Sequence, residues 1–554
     1  MRASLFFLFS SRVSAILLAS LLVLLPVQAS AADSPPMAEQ SFLATYRKLQ
    51  PLLPSASFQG AEIQTFYSLR GYKPVWRTEA GEIKATVPAF VESLEAVIDT
   101  QGLDRRDYPL EQVKAVLAKQ ENATPDEAAL TEFLLTDWLI RLAHDLNGDR
   151  GNLSQLYVGW NFTKPKRDIV ADLVRVIDQN GLSAYLNSLC PVDPDYWALV
   201  AVLKAYREIE QKSGWSIVPT GPSIKPEMRD ARVPLVLDRL AAEGYRLETD
   251  ATLAEPAFYS KEIAALVSQY QSRNTLEADG AIGAKTIVAM NVSVARRIRQ
   301  ILANMERLRH MPRLYPARYA MVNIASETLK LIDNGQVVYQ VPVVVGRPDR
   351  KTPFIESTIR SVIFNPSWHV PASIAKKDIL PKLRKDPHYL EKLGFVINGS
   401  AEDDPHGKAV DWSTISASAF AFRLRQAPGD MNSLGRIKFD FDNDFSVYMH
   451  GTPHDELFAR AERHLSSGCI RLKDPEQFAT YVLAHNDGKW ELADVQTEID
   501  KDKTRWLKVA EPLPLYVIYQ TAYFPTPDSP VSFAPDVYNY DAILMNALED
   551  KERL

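Results

Sequence analysis

YAMVNIASETLKLIDNGQVVYQVPVVVG, residues 319–346, alternates short β-branched runs, with Asp333, Asn334 and Gly335 between Leu331 and Val337. Such a turn between two period-two segments predicts a β-hairpin. A β-rich domain therefore opens near Ala317. Upstream, the pattern has the helical period. In TEFLLTDWLIRLAHDLNGD, Leu134, Trp138, Leu142 and Leu146 recur every four residues, and Gly148 follows as a C-cap. PDYWALVAVLKAYREIEQKSG repeats the theme with Trp197, Val200, Leu203 and Tyr206, closed by Gly214. Helices first and strands later predict a multidomain α+β chain, whose helical part is read as a packing scaffold.

Downstream of the hairpin, FSVYMHGTP (445–453) reads as a strand with Phe445, Val447 and Met449 on one face and Ser446, Tyr448 and His450 on the other. SSGCIRL (466–472) begins a second extended segment, with Cys469 nineteen residues after His450. Cys469 and Arg471 share a face, while Ile470 and Leu472 point into the core. A cysteine attacks as its thiolate, and a histidine or cation beside it lowers the thiol pKa from ~8.5 towards neutrality. His450 is the expected base. Ser466, Ser467 and Gly468 make a tight turn whose amides, with that of Cys469, can face a developing oxyanion. Strand, base, glycine and thiol together describe acyl transfer. Between the two β segments, residues from about 367 to 423 are polar and helix-like, and read as an insertion near the site.

Other readings of Cys469 stand beside this one. A lone cysteine in a β domain is often a small core hydrophobe. Pairing with Cys190, the one other cysteine of the 554 residues, would bridge distant segments, and Cys190 lies in a proline-rich loop between helices. Zinc would draw on His450, His454, His464 and Cys469, yet no CxxC or HExxH spacing is present, and His454 and His464 flank a segment with its own apolar residues, Leu457 and Phe458. Neither metal nor cofactor is expected.

Composition sets bounds. With 46% hydrophobic and 24% charged residues, the chain is long enough for three or four cores. A net charge of -6 with interspersed signs provides no basic stripe for nucleic acid. Arg2 and Arg12 precede an apolar run from Val13 to Leu25, then Pro26 and the small residues Ala29, Ser30 and Ala31. This predicts export, with cleavage after Ala31. Retention as an uncleaved inner-membrane anchor, lengthened by Leu5 to Phe9, is the alternative.

In SKEIAALVSQYQSRNTLEADGAIGAKTIVAMN (260–291), Ser260 caps a helix with Ile263, Leu266, Val267 and Tyr270 on one face. Asp279 and Gly280 make a turn, Gly283 permits a second, and Thr286, Ile287 and Met290 begin another helix. Leu276, Asp279, Gly280, Gly283 and Thr286 resemble the L-x-x-D-G-x-x-G-x-x-T hallmark of the peptidoglycan-binding-like domain. HGTP and SSGCIRL together resemble the signature of the YkuD-type L,D-transpeptidase catalytic domain. RGYKPVW, NPSWHVPASIA, ILPKLRKDPHYL, RQAPGDMNSLG and DVYNYD extend the likeness to the large, scaffold-bearing periplasmic members. Smaller members carry a histidine directly before the glycine of the cysteine motif, where this chain has Ser467.

The resemblance implies a signal peptide at 1–31, a helical scaffold at 32–232, a peptidoglycan-binding-like domain at 233–295 and a catalytic domain at 317–495 with a capping insertion. A segment at 496–554 would pack on the scaffold or the catalytic domain. It implies a Cys469 acyl-enzyme, with D-alanine released from a donor tetrapeptide and the acyl group passed to an acceptor stem. His450 would be base and then acid, with Gly451 orienting it through its carbonyl. Gly468 and Cys469 amides would bind the oxyanion, Ser467 completes the motif, and Arg471 and Tyr448 would orient the donor. Trp368 and Asn365 would line the groove. Expected partners are peptidoglycan stems and other cell-wall enzymes.

Overall fold

The computed structural model describes residues 37–550 apart from 54–59, 79, 109, 120–122, 180, 248–254, 489 and 528. The export segment read at residues 1–31 lies outside them. Among the described residues no helix is long and apolar enough to cross a membrane.

The scaffold is built on the helix Pro125–Asn147. Thr124 and Glu127 close a capping box at its start, and Gly148, with φ of 73°, ends it. The carboxylate of Glu132, inside this helix, accepts the amides of Val75 at 2.6 Å and Trp76 at 2.9 Å, and the Tyr67 hydroxyl at 2.6 Å. RGYKPVW is thus strapped to the central helix. In the helix Pro194–Gln211 the buried residues are Tyr196, Leu199, Leu203 and Tyr206. The buried stripe therefore lies slightly round from the expected one, and Trp197 is exposed.

The small helical module packs Ile263, Leu266, Val267 and Tyr270 against Ile287 and Met290. Its core also takes in Val218 and Ile224, and backbone bonds tie Ile224 to Ile282. The module consequently begins ahead of the expected boundary at 233.

The β domain comprises β1 (Arg318–Asn323), β2 (Thr328–Asp333), β3 (Gln336–Gly346) and β4 (Ile355–Phe364), then β5 (Trp368–His369), β6 (Phe395–Ile397) and β7 (Leu424–Gln426) in the insertion. It continues with β8 (Ile437–Phe441), β9 (Met449–His450), β10 (His464–Ser466), β11 (Ile470–Leu472) and β12 (Arg505–Ile518). The β2–β3 hairpin turns at Asn334 and Gly335, with φ of 49° and 79°, and pairs Asp333 with Gln336. The main sheet runs β10-β3-β11-β9-β8-β4-β12-β1-β2, and β2 also pairs with β3, so it closes on itself. Closure removes free edges. β12 sits between β4 and β1. The segment at 496–554 was expected only to pack on a finished domain. It instead supplies a central strand, because its apolar alternation fits the gap those two strands leave.

The insertion is more than a polar excursion. β5, β7 and β6 form a three-stranded sheet over a separate core of Ala375, Ile379, Leu380, Leu383, Leu390, Phe395, Trp412, Phe420 and Leu424. Its last strand runs to Gln426, beyond the expected limit of 423.

The helix Val294–Arg309 joins these parts. One end of its buried face holds Arg307 against Asp541 at 2.6 Å, and Arg309 against Glu306 at 2.7 Å. Asn304 and Gln300 reach Thr521.

Candidate active site

β9 and β11 lie side by side and parallel, with Arg471 level with His450 and Ile470 with Met449. Ile470, Leu472 and Met449 are buried, and Cys469 and Arg471 are half-buried. The expected strand before His450 is shorter than its pattern. Asn443 accepts the amides of Phe445 and Val447, Ser446 takes a φ of 56°, and Phe445 is 44% exposed. An Asn-capped turn outweighs period-two propensity there.

His450 is 4% exposed, and its Nδ1 lies 2.5 Å from the Gly451 carbonyl. Burial and the charges of Arg471 and Lys438 push its pKa down to about 3, while carbonyls of Gly451 and Leu434 pull the other way. The imidazole is neutral, with Nδ1 turned to a carbonyl and Nε2 left as the basic nitrogen. Burial also pushes the Cys469 thiol up, against hydrogen bonding from Tyr448 and the charges of Arg471 and Lys438. The expected thiol pKa near neutrality is thereby corrected: desolvation exceeds the pull of the neighbouring cations. Thiol and imidazole are thus both neutral at rest. Arg471 is itself held below its usual range by burial, and its Nε has no hydrogen-bond partner among the described residues.

The turn before the nucleophile is held from both sides. Gly468 has φ of 117°, a conformation other residues adopt at a cost. Its amide is donated to Ser466 Oγ at 3.1 Å, and that hydroxyl is directed to the Cys469 carbonyl at 2.5 Å. The Gly468 amide, expected to face an oxyanion, is therefore engaged within the turn. Of the two, the Cys469 amide has no hydrogen-bond partner among the described residues. From the far side, the loop after β3 holds three successive residues. Arg347 N donates to Ser466 O at 3.1 Å, Arg350 to Ser467 Oγ at 2.9 Å, and Thr352 Oγ1 to Gly468 O at 2.8 Å. Tyr538, in DVYNYD, braces that loop by accepting the Thr352 amide at 3.1 Å and donating to the Gly346 carbonyl.

Beside the site a cavity of about 420 Å³ is lined by Trp368, His369, Lys438, Tyr448, Thr504 and Trp506, among others. Trp368 is half-buried with its side chain hydrogen-bonded to the Tyr448 hydroxyl, and Trp506 is 64% exposed. Lys438 sits 4.3 Å from the Tyr448 ring centre and 2.9 Å from Asp440. Asn365 does not belong here. It is wholly buried with φ of 47°, and its amide donates to the carbonyls of Glu498 and Ile499 at 3.1 and 3.0 Å. It was misread as a groove residue because a polar side chain near an active-site motif also serves to pin backbone.

The small module uses its motif internally. Gln271 donates to Asp279 Oδ1 at 2.9 Å and Thr286 Oγ1 at 3.1 Å, and accepts the Gly280 amide at 2.8 Å. A Cβ on Gly280 would lie 2.9 Å from the Ala264 carbonyl. Gly283, with φ of -92°, begins a helix without needing glycine's freedom. Asp279, Gly280 and Thr286 thus fasten the fold of the module itself.

The rival ligands have other partners. His464 Nδ1 lies 2.6 Å from the buried Glu327 carboxylate, and His454 faces Glu456 at 3.3 Å. Among the described residues no group of three or more His, Cys, Asp or Glu is placed to hold a metal ion. Both cysteines are free thiols, and Cys190 is buried against the Gln101 side chain.

Arg350, Thr352, Lys438, Trp506 and Tyr538 escaped the sequence reading. Lys438 is level with His450 on β8, a register no local pattern reveals.

A half-buried thiol, a neutral imidazole and a free amide on a closed sheet form a site suited to acyl transfer through sulfur. The chain carries a YkuD-type L,D-transpeptidase catalytic domain, matched by its family model over residues 317–503, and a scaffold domain matched over residues 61–203. A Haemophilus influenzae protein provisionally named an L,D-transpeptidase is 31% identical over 242 residues, or 44% of this chain and 48% of that protein. The chain thus matches about half the length of that curated relative. Among solved structures, an L,D-transpeptidase from Mycobacterium smegmatis aligns at 13% identity and a TM-score of 0.18 over 37% of this chain and 60% of its own. L,D-transpeptidase 3 from Mycobacterium tuberculosis, in complex with a faropenem-derived adduct, aligns at 14% and 0.18 over 37% and 62%. These superpositions are slight and add nothing to the assignment.

Proposed function

We propose that this chain is a peptidoglycan L,D-transpeptidase of the bacterial periplasm that forms 3→3 crosslinks between diaminopimelate residues. The observation that carries the reading is the pairing of β9 and β11, which sets the segment of the free Cys469 thiol alongside that of the uncharged His450. Cys469 Sγ attacks the carbonyl joining the third stem residue to the terminal D-alanine of a donor tetrapeptide. Because the thiol rests protonated, His450 Nε2 takes its proton as the carbon–sulfur bond forms. The Cys469 amide steadies the oxyanion. D-alanine then leaves with the proton returned by His450, and a thioester remains. The side-chain amine of a second stem attacks that thioester, loses its proton to His450, and sets the thiol free.

A stem would lie in the cavity next to Tyr448. The cavity bounded by Trp368, Tyr448, Lys438 and Trp506 offers aromatic faces and one cation to a peptide that carries carboxylates. Water competes with the amine, so transfer requires the acceptor at an effective concentration far above its bulk value. A groove backed by an inserted subdomain supports that requirement. Stem peptides are the proposed partners, other cell-wall enzymes are secondary ones, and the export reading of residues 1–31 supplies the location.

The test is a purified disaccharide-tetrapeptide incubated with the full chain, with products resolved by mass. Crosslinking gives a dimer lighter than two monomers by one free D-alanine. Tripeptide monomer alone would mean a carboxypeptidase. No turnover, together with no adduct from a β-lactam, would leave a silent wall-binding scaffold. A product joined only to an added lipoprotein peptide would mean an anchoring transferase.

A further inference from the structure

The turn that presents Cys469 is gripped at three consecutive residues by the loop after β3, and two of those grips stay within the barrel. Arg347 N and Thr352 Oγ1 hold the carbonyls of Ser466 and Gly468. The third leaves it. Arg350 donates to Ser467 Oγ at 2.9 Å and, with the same guanidinium, forms a two-pronged pair with the carboxylate of Asp378, its Nη2 lying 3.1 Å from Oδ1. Asp378 belongs to the insertion, on a single π turn, Ala375–Ile379. Such turns interrupt a helix at a cost and recur where function needs a particular side chain aimed outward. Arg347 adds a longer contact to the same carboxylate at 3.5 Å.

The insertion has a hydrophobic core of its own, so it can shift as a body relative to the barrel. A forked guanidinium–carboxylate pair fixes direction as well as distance, and Arg350 and Asp378 are only 17% and 31% exposed. Whatever moves Asp378 therefore changes the partner set of the residue two before the nucleophile. We propose that Arg350 is a positioning residue that ties the turn at 466–469 to the insertion through Asp378, so that Cys469 and its amide keep their reactive geometry only while the insertion is seated. This rests on the transpeptidase reading and adds a mechanical link between the subdomain over the groove and the chemistry beneath it. Binding of a stem against the insertion would favour the seated arrangement, and so the reactive turn, before attack.

The full-length chain is titrated with the carbapenem imipenem, and acylation of Cys469 is followed by intact mass, giving a maximal rate and a half-saturating concentration. Asp378→Asn keeps shape and removes the charge. Arg350→Ala removes both grips, and Arg350→Lys keeps charge without the fork. The maximal rate should fall about 10- to 100-fold in Asp378→Asn and Arg350→Ala, as sub-ångström misplacement of a nucleophile does. Half-saturation should stay within about 2-fold, and Arg350→Lys should lie between Arg350→Ala and the parent. The two changes act through one link, so Arg350→Ala with Asp378→Asn should be no slower than Arg350→Ala alone. Thermal melts establish that Asp378→Asn is folded. Parental acylation in folded Asp378→Asn, or a double variant slowed by the product of the single effects, would overturn the link. A parent chain that takes no adduct would remove the proposed function itself, and this inference with it.

Discussion

Desolvation dominates at the reacting residues, and it sets their pH behaviour. With His450 uncharged down to about pH 3 and the Cys469 thiol above its usual range, the working pair is neutral thiol and neutral imidazole. Acylation by a β-lactam should then run level between about pH 5 and 8, without the inflection near 6.5 of an ordinary histidine. A rate that falls on acidification through pH 6.5 would contradict the neutral pair. The same burial has a stability consequence. Between about 6.5 and 3 the unfolded chain binds the proton that the folded imidazole refuses, so stability drops as pH falls through that window. Cys469→Ala should abolish acylation with a nearly unchanged melt, because a half-buried thiol loses little packing; residual transfer in that variant would move the nucleophile elsewhere. Asn365→Ala should behave in the opposite way. It forces alanine to a φ of 47° and strips the buried carbonyls of Glu498 and Ile499 of their donor, at a cost of about 2–4 kcal/mol. Its melt should drop by several degrees while half-saturation by imipenem holds. A raised half-saturation with an unchanged melt would restore Asn365 to the groove.

At the scale of elements, what the sequence discloses is what repeats locally. The hairpin at Asn334 and Gly335 follows from turn chemistry, and the burial of Ile470 and Leu472 beside half-buried Cys469 and Arg471 follows from a period of two. The helix Pro125–Asn147 follows from its period and its terminal glycine. What stayed hidden depends on distant pairing. Thr352 meets Gly468 across 116 residues, Lys438 comes level with His450 only through β8, and Arg350 reaches the insertion through a loop whose sequence looks like any polar connection. Propensity also misled where a single side chain overruled it, as Asn443 does in turning Phe445 out of its expected strand. The small module shows the same limit, since its motif residues are legible while their task, fastening Gln271 to a turn, needs coordinates. Gly280→Ala should therefore destabilise that module, through a φ of 68° and contact with the Ala264 carbonyl. Cys469 acylation should persist in the same protein, which a mass measurement on a chain with a lowered melt would establish; loss of both together would mean that the module and the barrel unfold as one.

The whole molecule is organised around a barrel that its own contiguous sequence does not complete. β12, residues Arg505–Ile518, lies between β1 and β4, matching Leu515 to Ala320 on one side and to Ser357 on the other. Beyond it, Tyr538 braces the loop that grips the nucleophile's turn, and Asp541 neutralises the buried Arg307 of the joining helix. A fragment ending at residue 503 would leave β1 and β4 each with one open edge where β12 had paired, exposing backbone donors and acceptors to other chains, and would leave Gly346 and Thr352 without Tyr538. The fragment 317–503 should accordingly be aggregated or unfolded and take up no β-lactam, although it spans the nucleophile, the base and the insertion. A fragment 294–550 restores β12, Tyr538 and the Arg307–Asp541 pair, and should be soluble and acylated at Cys469 within about 10-fold of the full-chain rate, the remaining loss reflecting helix faces stripped of the scaffold. Soluble yield, a cooperative melt and adduct mass on the two fragments decide the matter, and a folded, acylated 317–503 would show that the barrel closes without its central strand.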